Sequence, residues 1–384
     1  AALRLDPHQH VALLTEADRL CPAWFRFSCS DAHLQQAEEL VRRAVDAHDR
    51  WEAHLFLGNL LFTRGNISGG NASHQAALRL QPRSRHAINT AGEALRRVDR
   101  AEDAAALFHA AAARGMWHSP HQRPLTVFWP SVEGKRAFPT DDELPQALIE
   151  ARKSFSSVWY QIVVEFYESI MTHRLDPSLN INCGKGQLCY TANIAKNESN
   201  KFYQERGQWT EYYIYSNEDV MKGGKARCAE SMPQTCKLLA DLKQYIGLFR
   251  AAVSAVAGPW TYIPKHRSMS QGRLRMHCPL WVPPGSRSTL RVGRETREFQ
   301  NGECWWFDES HEHDSEYFNE NLENLEPRFS FYIDVYHPEL REDPALLNSG
   351  LPPAEVEPPP LSVGYWQEFF CRAAQNEPAA LDAA

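Results

Sequence analysis

The sequence predicts an α+β protein, with an all-helical repeat region first and a domain of antiparallel strands after it. Two observations carry the prediction. Between Trp51 and Ala111, small and bulky residues recur at a spacing of 34, Gly58 with Gly92 and Ala77 with Ala111, as paired helices in a repeat require. Downstream, residues 274–282 and 329–335 alternate apolar and polar side chains and stop at Pro283-Pro284-Gly285 and at His337-Pro338, the period-two pattern of strands.

Bulk properties narrow the classes. A chain of 384 residues that is 43% hydrophobic and 23% charged is a folded globular chain with room for two domains. Its formal charge of -7 is mixed along the chain and leaves no basic stripe, so nucleic acid is not an expected partner. The most apolar run, 246–260, is interrupted by Arg250 and is too short to span a bilayer. The opening Ala1-Ala2-Leu3 reads as the tail of a helix begun upstream, so an anchoring or targeting segment is expected to have been removed. Nine cysteines are too sparse for a disulfide scaffold. Acceptor tripeptides at Asn66, Asn71 and Asn197 are compatible with glycosylation in a secretory compartment.

Residues 1–118 are read as tetratricopeptide-like helical repeats. Ala2 and Pro7 fit the end of a preceding unit, and Leu34, Ala37, Val41 and Ala44 give helical spacing behind a Ser30 or Asp31 cap. Residues 119–170 form an extended, proline-rich junction followed by a helical stripe through Leu148, Ile162 and Phe166. Residues 171–345 hold a strand at 209–216, a helix within 229–249 whose entry is flanked by Cys228 and Cys236, and then the strand-rich stretch. Those two cysteines are a local disulfide or ordinary half-buried thiols. Residues 346–384 are a Pro-rich tail, an extended wrap or disordered, with 364–371 a short packed element.

His266, His277, His311, His313 and His337 lie on or beside predicted strand ends, with Arg273, Arg275 and Arg328 nearby. Two imidazoles brought together on such a scaffold suit a borderline divalent metal such as iron, and arginines can hold a dicarboxylate bidentately. The residue two after His266 is Ser268, so a two-histidine, one-carboxylate triad is not met. Arg273 is read as a strand-surface charge and His337 as a structural cap.

Gly115-x-Trp117-x-Ser119-Pro120-x-Gln122-Arg123, Arg273-Leu274-Arg275-Met276-His277, Phe307-Asp308-x-Ser310-x-Glu312-His313 and Asp334-Val335-x-His337-Pro338-Glu339-Leu340 together resemble the aspartyl/asparaginyl beta-hydroxylases, Fe(II)- and 2-oxoglutarate-dependent oxygenases with upstream tetratricopeptide-like repeats. The resemblance implies a double-stranded beta-helix, a jelly-roll or cupin-like fold. It implies iron held by His266 and His313, with the carboxylate position vacant at Ser268. It further implies 2-oxoglutarate met by Arg275 and His277 at one end and by Arg328 at the other, with O2 as oxidant. A serine contact falls on Ala255 or, shifted by one, on Ser254. Glu309 stands where the family has aspartate and could accept from metal-bound water. His311 would share a strand face with His313 and compete for metal or order water. The family also implies a Cys228–Cys236 disulfide, β-carbon hydroxylation of Asp or Asn in epidermal-growth-factor-like domains, and residence in the endoplasmic reticulum lumen. Alternatives are an oxygenase with another substrate and an inactive protein-binding scaffold.

Overall fold

A computed structural model describes residues 7–21, 29–124, 127–130, 132, 134, 136–171, 206–216, 232–268, 271–321, 326–341 and 355–356. The chain divides into two compact units, with boundaries between Pro130 and Ser131 and between Pro353 and Ala354.

The first unit is helical: α1 (Pro7–Leu20), α2 (Asp31–Ala47), α3 (Trp51–Thr63), α4 (Ile67–Leu80), α5 (Arg85–Arg97) and α6 (Ala101–Ala113). Trp51 and Arg85 open equivalent helices, as do Ile67 and Ala101, so the spacing of 34 seen in the sequence is the spacing of helix pairs. Its cause is close approach at glycine. A Cβ on Gly58 would lie 2.1 Å from the His74 ring, and one on Gly92 would lie 2.1 Å from the Phe108 ring. Ser30 caps α2 by accepting from the His33 N–H. Pro7 opens α1; at the first helical position its missing N–H has no intrahelical partner to lose. Cys21 and Cys29 form a disulfide between the end of α1 and the approach to α2, which the sequence reading did not anticipate.

The segment after α6 is packed down. Trp117 and Phe128 are buried, the Arg85 Nε donates to the Met116 carbonyl at 2.9 Å, and the Arg123 guanidinium lies 3.6 Å from the Phe108 ring centroid. Val127–Phe128 (β1) pairs antiparallel with Glu355–Val356 (β10), so the tail is extended at those two residues. The rest of the tail, including 364–371, lies outside the described residues.

In the second unit, α7 (Gln146–Ser157) and α8 (Trp159–Met171) replace one continuous stripe, with the break at Val158. They are followed by β2 (Arg206–Ser216), α9 (Pro233–Ile246), β3 (Leu248–His266), β4 (Arg273–Trp281), β5 (Ser286–Val292), β6 (Glu295–Glu298), β7 (Trp305–Phe307), β8 (His313–Asn319), β9 (Arg328–Tyr336) and α10 (Pro338–Arg341). The strands form a curled antiparallel sheet in the order β6-β5-β8-β3-β9-β4-β7, with β2 also on β3, a half-barrel of the double-stranded beta-helix type.

β3 organises this sheet. Its first half pairs with β9 up to Val256 with Arg328 and its second half with β8 from Trp260 onward, while β2 pairs with it from Arg250 to Ala257 and again at Tyr262. The change of partner falls at Gly258-Pro259, where Gly258 has φ 115°. That backbone angle strains a residue with a Cβ, and proline lacks a ladder donor. Alternation then sorts the faces. Leu274, Met276, Cys278 and Leu280 of β4, with Phe329, Phe331, Ile333 and Val335 of β9, enter a core completed by Leu148, Phe155, Ile162 and Phe166 of α7 and α8. Arg275, His277, Arg328, Ser330, Tyr332 and Asp334 occupy the alternate positions, so they take the opposite face. A second disulfide, Cys278–Cys304, ties β4 to the turn before β7.

Candidate active site

That opposite face encloses a cavity lined by side chains from β2, β3, β4, β5, β7, β8 and β9 and by Phe299 just after β6. Its polar wall comprises Glu211, Ser254, His266, Arg275, His277, His313, Ser315, Arg328 and Tyr332, and Trp209, Ile263, Leu290, Phe299 and Phe307 supply the apolar remainder.

His266 ends β3 and His313 begins β8, and the two are register partners. Their ring centroids lie 4.1 Å apart. The Nδ1 of His266 is 2.8 Å from the Pro264 carbonyl and that of His313 is 2.8 Å from the His311 carbonyl. A carbonyl accepts only, so each Nδ1 carries the proton and each Nε2 carries a lone pair, the tautomer of a metal ligand. Burial, with Arg275 and Arg267 adding repulsion, pulls His266 down to about 4, and burial together with its neighbour His266 pulls His313 well below the ordinary histidine range. Both rings are therefore neutral at pH 7, as ligation demands. Among the described residues no group of three or more His, Cys, Asp or Glu side chains converges on a metal-sized site.

Arg328 is the second feature. It is buried and its Nε and Nη1 have no hydrogen-bond partner among the described residues. The guanidinium packs over Phe299, 4.3 Å from the ring centroid, and burial lowers its pKa to about 10. A buried cation without a counter-charge is costly, and the cavity it lines is where an anion would relieve that cost. His277, pulled well below its usual range by burial, sits with Nδ1 2.9 Å from the Ser330 hydroxyl and its ring parallel to Phe307.

Arg275 lines the same cavity and is already engaged. Its Nε and Nη2 donate to Asp334 at 2.5 and 2.8 Å, and Nη2 is 3.0 Å from Glu309. Arg250 donates to the same Asp334 at 2.6 to 2.8 Å. Arg273 is a correction: read as a surface charge, it is only 12% exposed, 3.7 Å from Glu309 and stacked over Phe249.

The remaining expected residues fall as follows. Ser254 lines the cavity and accepts from the Trp209 indole at 3.0 Å, whereas Ala255 lies in the apolar core. Glu309, Ser268 and His311 do not line the cavity. Glu309 reaches it only through Arg275, and its carbonyl accepts the Ser268 N–H at 2.9 Å. His311 is a single bridge residue between the turn at 309–310 and the start of β8 at His313, and it lies beside Gly293. His337 is buried, its N–H donates to the Gly272 carbonyl and its carbonyl caps the Leu340 N–H. Cys236 is disulfide-bonded, while Cys228 and Asn197 lie outside the described residues. Asn66 caps α4 with an exposed side chain that accepts from the Gly69 N–H, and half-buried Asn71 lies within α4. Sequence reasoning missed Glu211, which accepts from the Tyr332 hydroxyl at 2.9 Å, and missed the anchoring of Arg275 by Asp334. The polar alternation Arg328, Ser330, Tyr332, Asp334 was the available signal.

Residues 186–338 match the family model described as aspartyl/asparaginyl beta-hydroxylase. The likeness to that family is carried by this stretch, less than half of the chain. It is 30% identical to the mouse aspartyl/asparaginyl beta-hydroxylase over 142 residues, 36% of this chain and 17% of the relative. It is 31% identical to aspartate beta-hydroxylase domain-containing protein 2 of Xenopus tropicalis over 134 residues, 34% of each chain. The human protein of the latter name is also 31% identical over 134 residues. The matched stretch thus spans about a sixth to a third of these relatives. No helix among the described residues is long and apolar enough to cross a membrane.

Proposed function

We propose that this chain is a 2-oxoglutarate- and Fe(II)-dependent dioxygenase that hydroxylates the β carbon of Asp or Asn residues in protein substrates, disulfide-bearing epidermal-growth-factor-like domains being the substrate class, in the endoplasmic reticulum lumen. The observation that carries the reading is the pairing of two neutral, Nδ1-anchored histidines with a buried, unpartnered Arg328 in one cavity. The donor chemistry fits both groups: imidazole nitrogens suit iron, and an orphan guanidinium suits one end of a dicarboxylate.

When bound, the iron and its co-substrate supply the oxidising chemistry. The protein's part is positioning. His266 and His313 would hold the metal through Nε2, and the carbonyls of Pro264 and His311 fix their ring orientation. Arg328 would pair with the distal carboxylate of 2-oxoglutarate, and Ser254, Arg275 and His277 would border its remainder. Phe299, Phe307, Ile263 and Leu290 exclude water and strengthen those charge contacts. The disulfides Cys21–Cys29 and Cys278–Cys304 support an oxidising compartment.

The test is anaerobic titration with Fe(II) and 2-oxoglutarate, following the metal-to-ligand charge-transfer band, with His313→Ala as control. The expected result is a band in the wild type that the variant lacks, followed by a mass gain of one oxygen on an Asp or Asn of an epidermal-growth-factor-like peptide. A folded wild type with no band would overturn the reading and leave a protein-binding scaffold. A band with hydroxylation only of other substrates would leave the oxygenase and replace its substrate.

A further inference from the structure

We infer that Asp334 is a positioning residue, the buried carboxylate that holds the Arg275 guanidinium at the wall of the co-substrate cavity; the inference rests on the function proposed above. The observation is a fork against a fork. Arg275 presents Nε to Asp334 Oδ1 at 2.5 Å and Nη2 to Oδ2 at 2.8 Å, the bidentate geometry that fixes a guanidinium in plane and direction. Asp334 is fully buried, and Arg250 approaches the same Oδ2 from its other side at 2.6 to 2.8 Å. Arg275 also lies over Tyr332, 4.4 Å from the ring centroid, so its plane is held on a face as well as along an edge.

The register explains how one carboxylate reaches both arginines. Asp334 of β9 is the register partner of Arg250 on β3 and of Arg275 on β4. It is thus the central member of a cross-strand row of three. Arg273 and Glu309 complete a set of three half-buried cations and two buried carboxylates beside the cavity. Without Asp334 two guanidiniums in that row would face one another with only Glu309 to offset them, and Arg275 would lose both of its in-plane contacts to that carboxylate.

Two roles for Asp334 predict opposite signs. If it acted only through its charge, Asp334→Asn would make the cavity more positive and bind 2-oxoglutarate more tightly. If it positions Arg275, the same change weakens binding, because the guanidinium no longer stands where the anion meets it. A double-mutant cycle isolates the effect, since loss acting through Arg275 disappears once Arg275 is gone.

The experiment is calorimetric titration of 2-oxoglutarate into the 384-residue chain loaded with Zn(II), for wild type, Asp334→Asn, Arg275→Ala and the double variant, with circular dichroism on each. The expected result is an affinity about tenfold weaker in Asp334→Asn and a double variant within twofold of Arg275→Ala. Tighter binding in Asp334→Asn, or an equal further loss in the Arg275→Ala background, would overturn the inference while leaving the proposed function standing. A wild type that does not bind 2-oxoglutarate would remove both. Should Asp334→Asn fail to fold, Asp334→Glu in the same cycle keeps the carboxylate and shifts it by one methylene. A loss that vanishes in the Arg275→Ala background then supports positioning, and unchanged affinity overturns it.

Discussion

His266 and His313 are cross-strand partners whose ring centroids lie 4.1 Å apart at the junction of β3 and β8. Each ring is oriented by a carbonyl two residues away in the chain, so the pair is preset before any ligand arrives. Alanine at either position removes one of the two proposed donors and should weaken Fe(II) affinity by more than roughly 100-fold, beyond the effect of losing an outer partner. His311→Ala should change it less than about threefold, because that ring lies outside the cavity. Anaerobic Co(II) titration by absorbance, with far-ultraviolet dichroism to confirm the fold, measures all three.

Arg328 sets stability against function. Its buried Nε and Nη1 have no partner among the described residues, so replacing the cation by an apolar chain of similar length should stabilise the empty protein. The same change removes the charge that would meet a dicarboxylate, a loss of about 2–5 kcal/mol for a buried pair. Arg328→Met is therefore expected to raise the melting temperature and weaken 2-oxoglutarate binding by roughly 30-fold or more. Thermal melts with and without 2-oxoglutarate read both signs, and a variant destabilised without ligand would contradict the argument.

Local periodicity explains which parts were legible in the sequence. The 34-residue spacing and the alternation through Arg275 and His277 are written in neighbouring residues, so repeat helices and strand faces could be read directly. The pairing of His266 with His313 was legible only through the family resemblance, because their adjacency comes from the β3–β8 register. Nothing local marks Asp334 as the partner of Arg250 and Arg275, since three strands must assemble to bring them together. Strand faces likewise could not reveal that His311 stands on a single bridge just before β8 begins. The disulfide Cys278–Cys304 closes 26 residues and depends on β4 meeting the turn before β7.

Gly92 tests the cause of the repeat. Its ideal Cβ would fall 2.1 Å from the tip of the Phe108 ring, so alanine must displace a side chain that packs in the core beneath α5 and α6. Alanine gains about 1 kcal/mol of helix propensity over glycine, whereas overpacking costs about 1–3 kcal/mol. Gly92→Ala is expected to lower the urea midpoint of the helical unit, and Phe108→Leu added to it should recover part of the loss. A single variant more stable than wild type would show that propensity outweighs the contact.

His74 occupies in the first helix pair the position of Phe108 in the second, facing Gly58 as Phe108 faces Gly92. Its Nε2 is 3.1 Å from Asn59 Oδ1, an acceptor, and its Nδ1 is buried without a partner among the described residues. Burial pulls its pKa from 6.5 down to about 4. The unfolded chain therefore binds more protons than the folded one between those values, and stability rises with pH across that window. The neutral ring's contribution is fully present above pH 6.5 and is lost as pH falls toward 4, roughly 3 kcal/mol at 1.36 kcal/mol per unit. His74→Phe, which copies the second pair, should flatten that acid dependence while keeping the fold. Urea unfolding of wild type and variant at pH 7 and pH 5, followed by helical dichroism, measures the difference; equal acid losses in both would place the proton-sensitive group elsewhere.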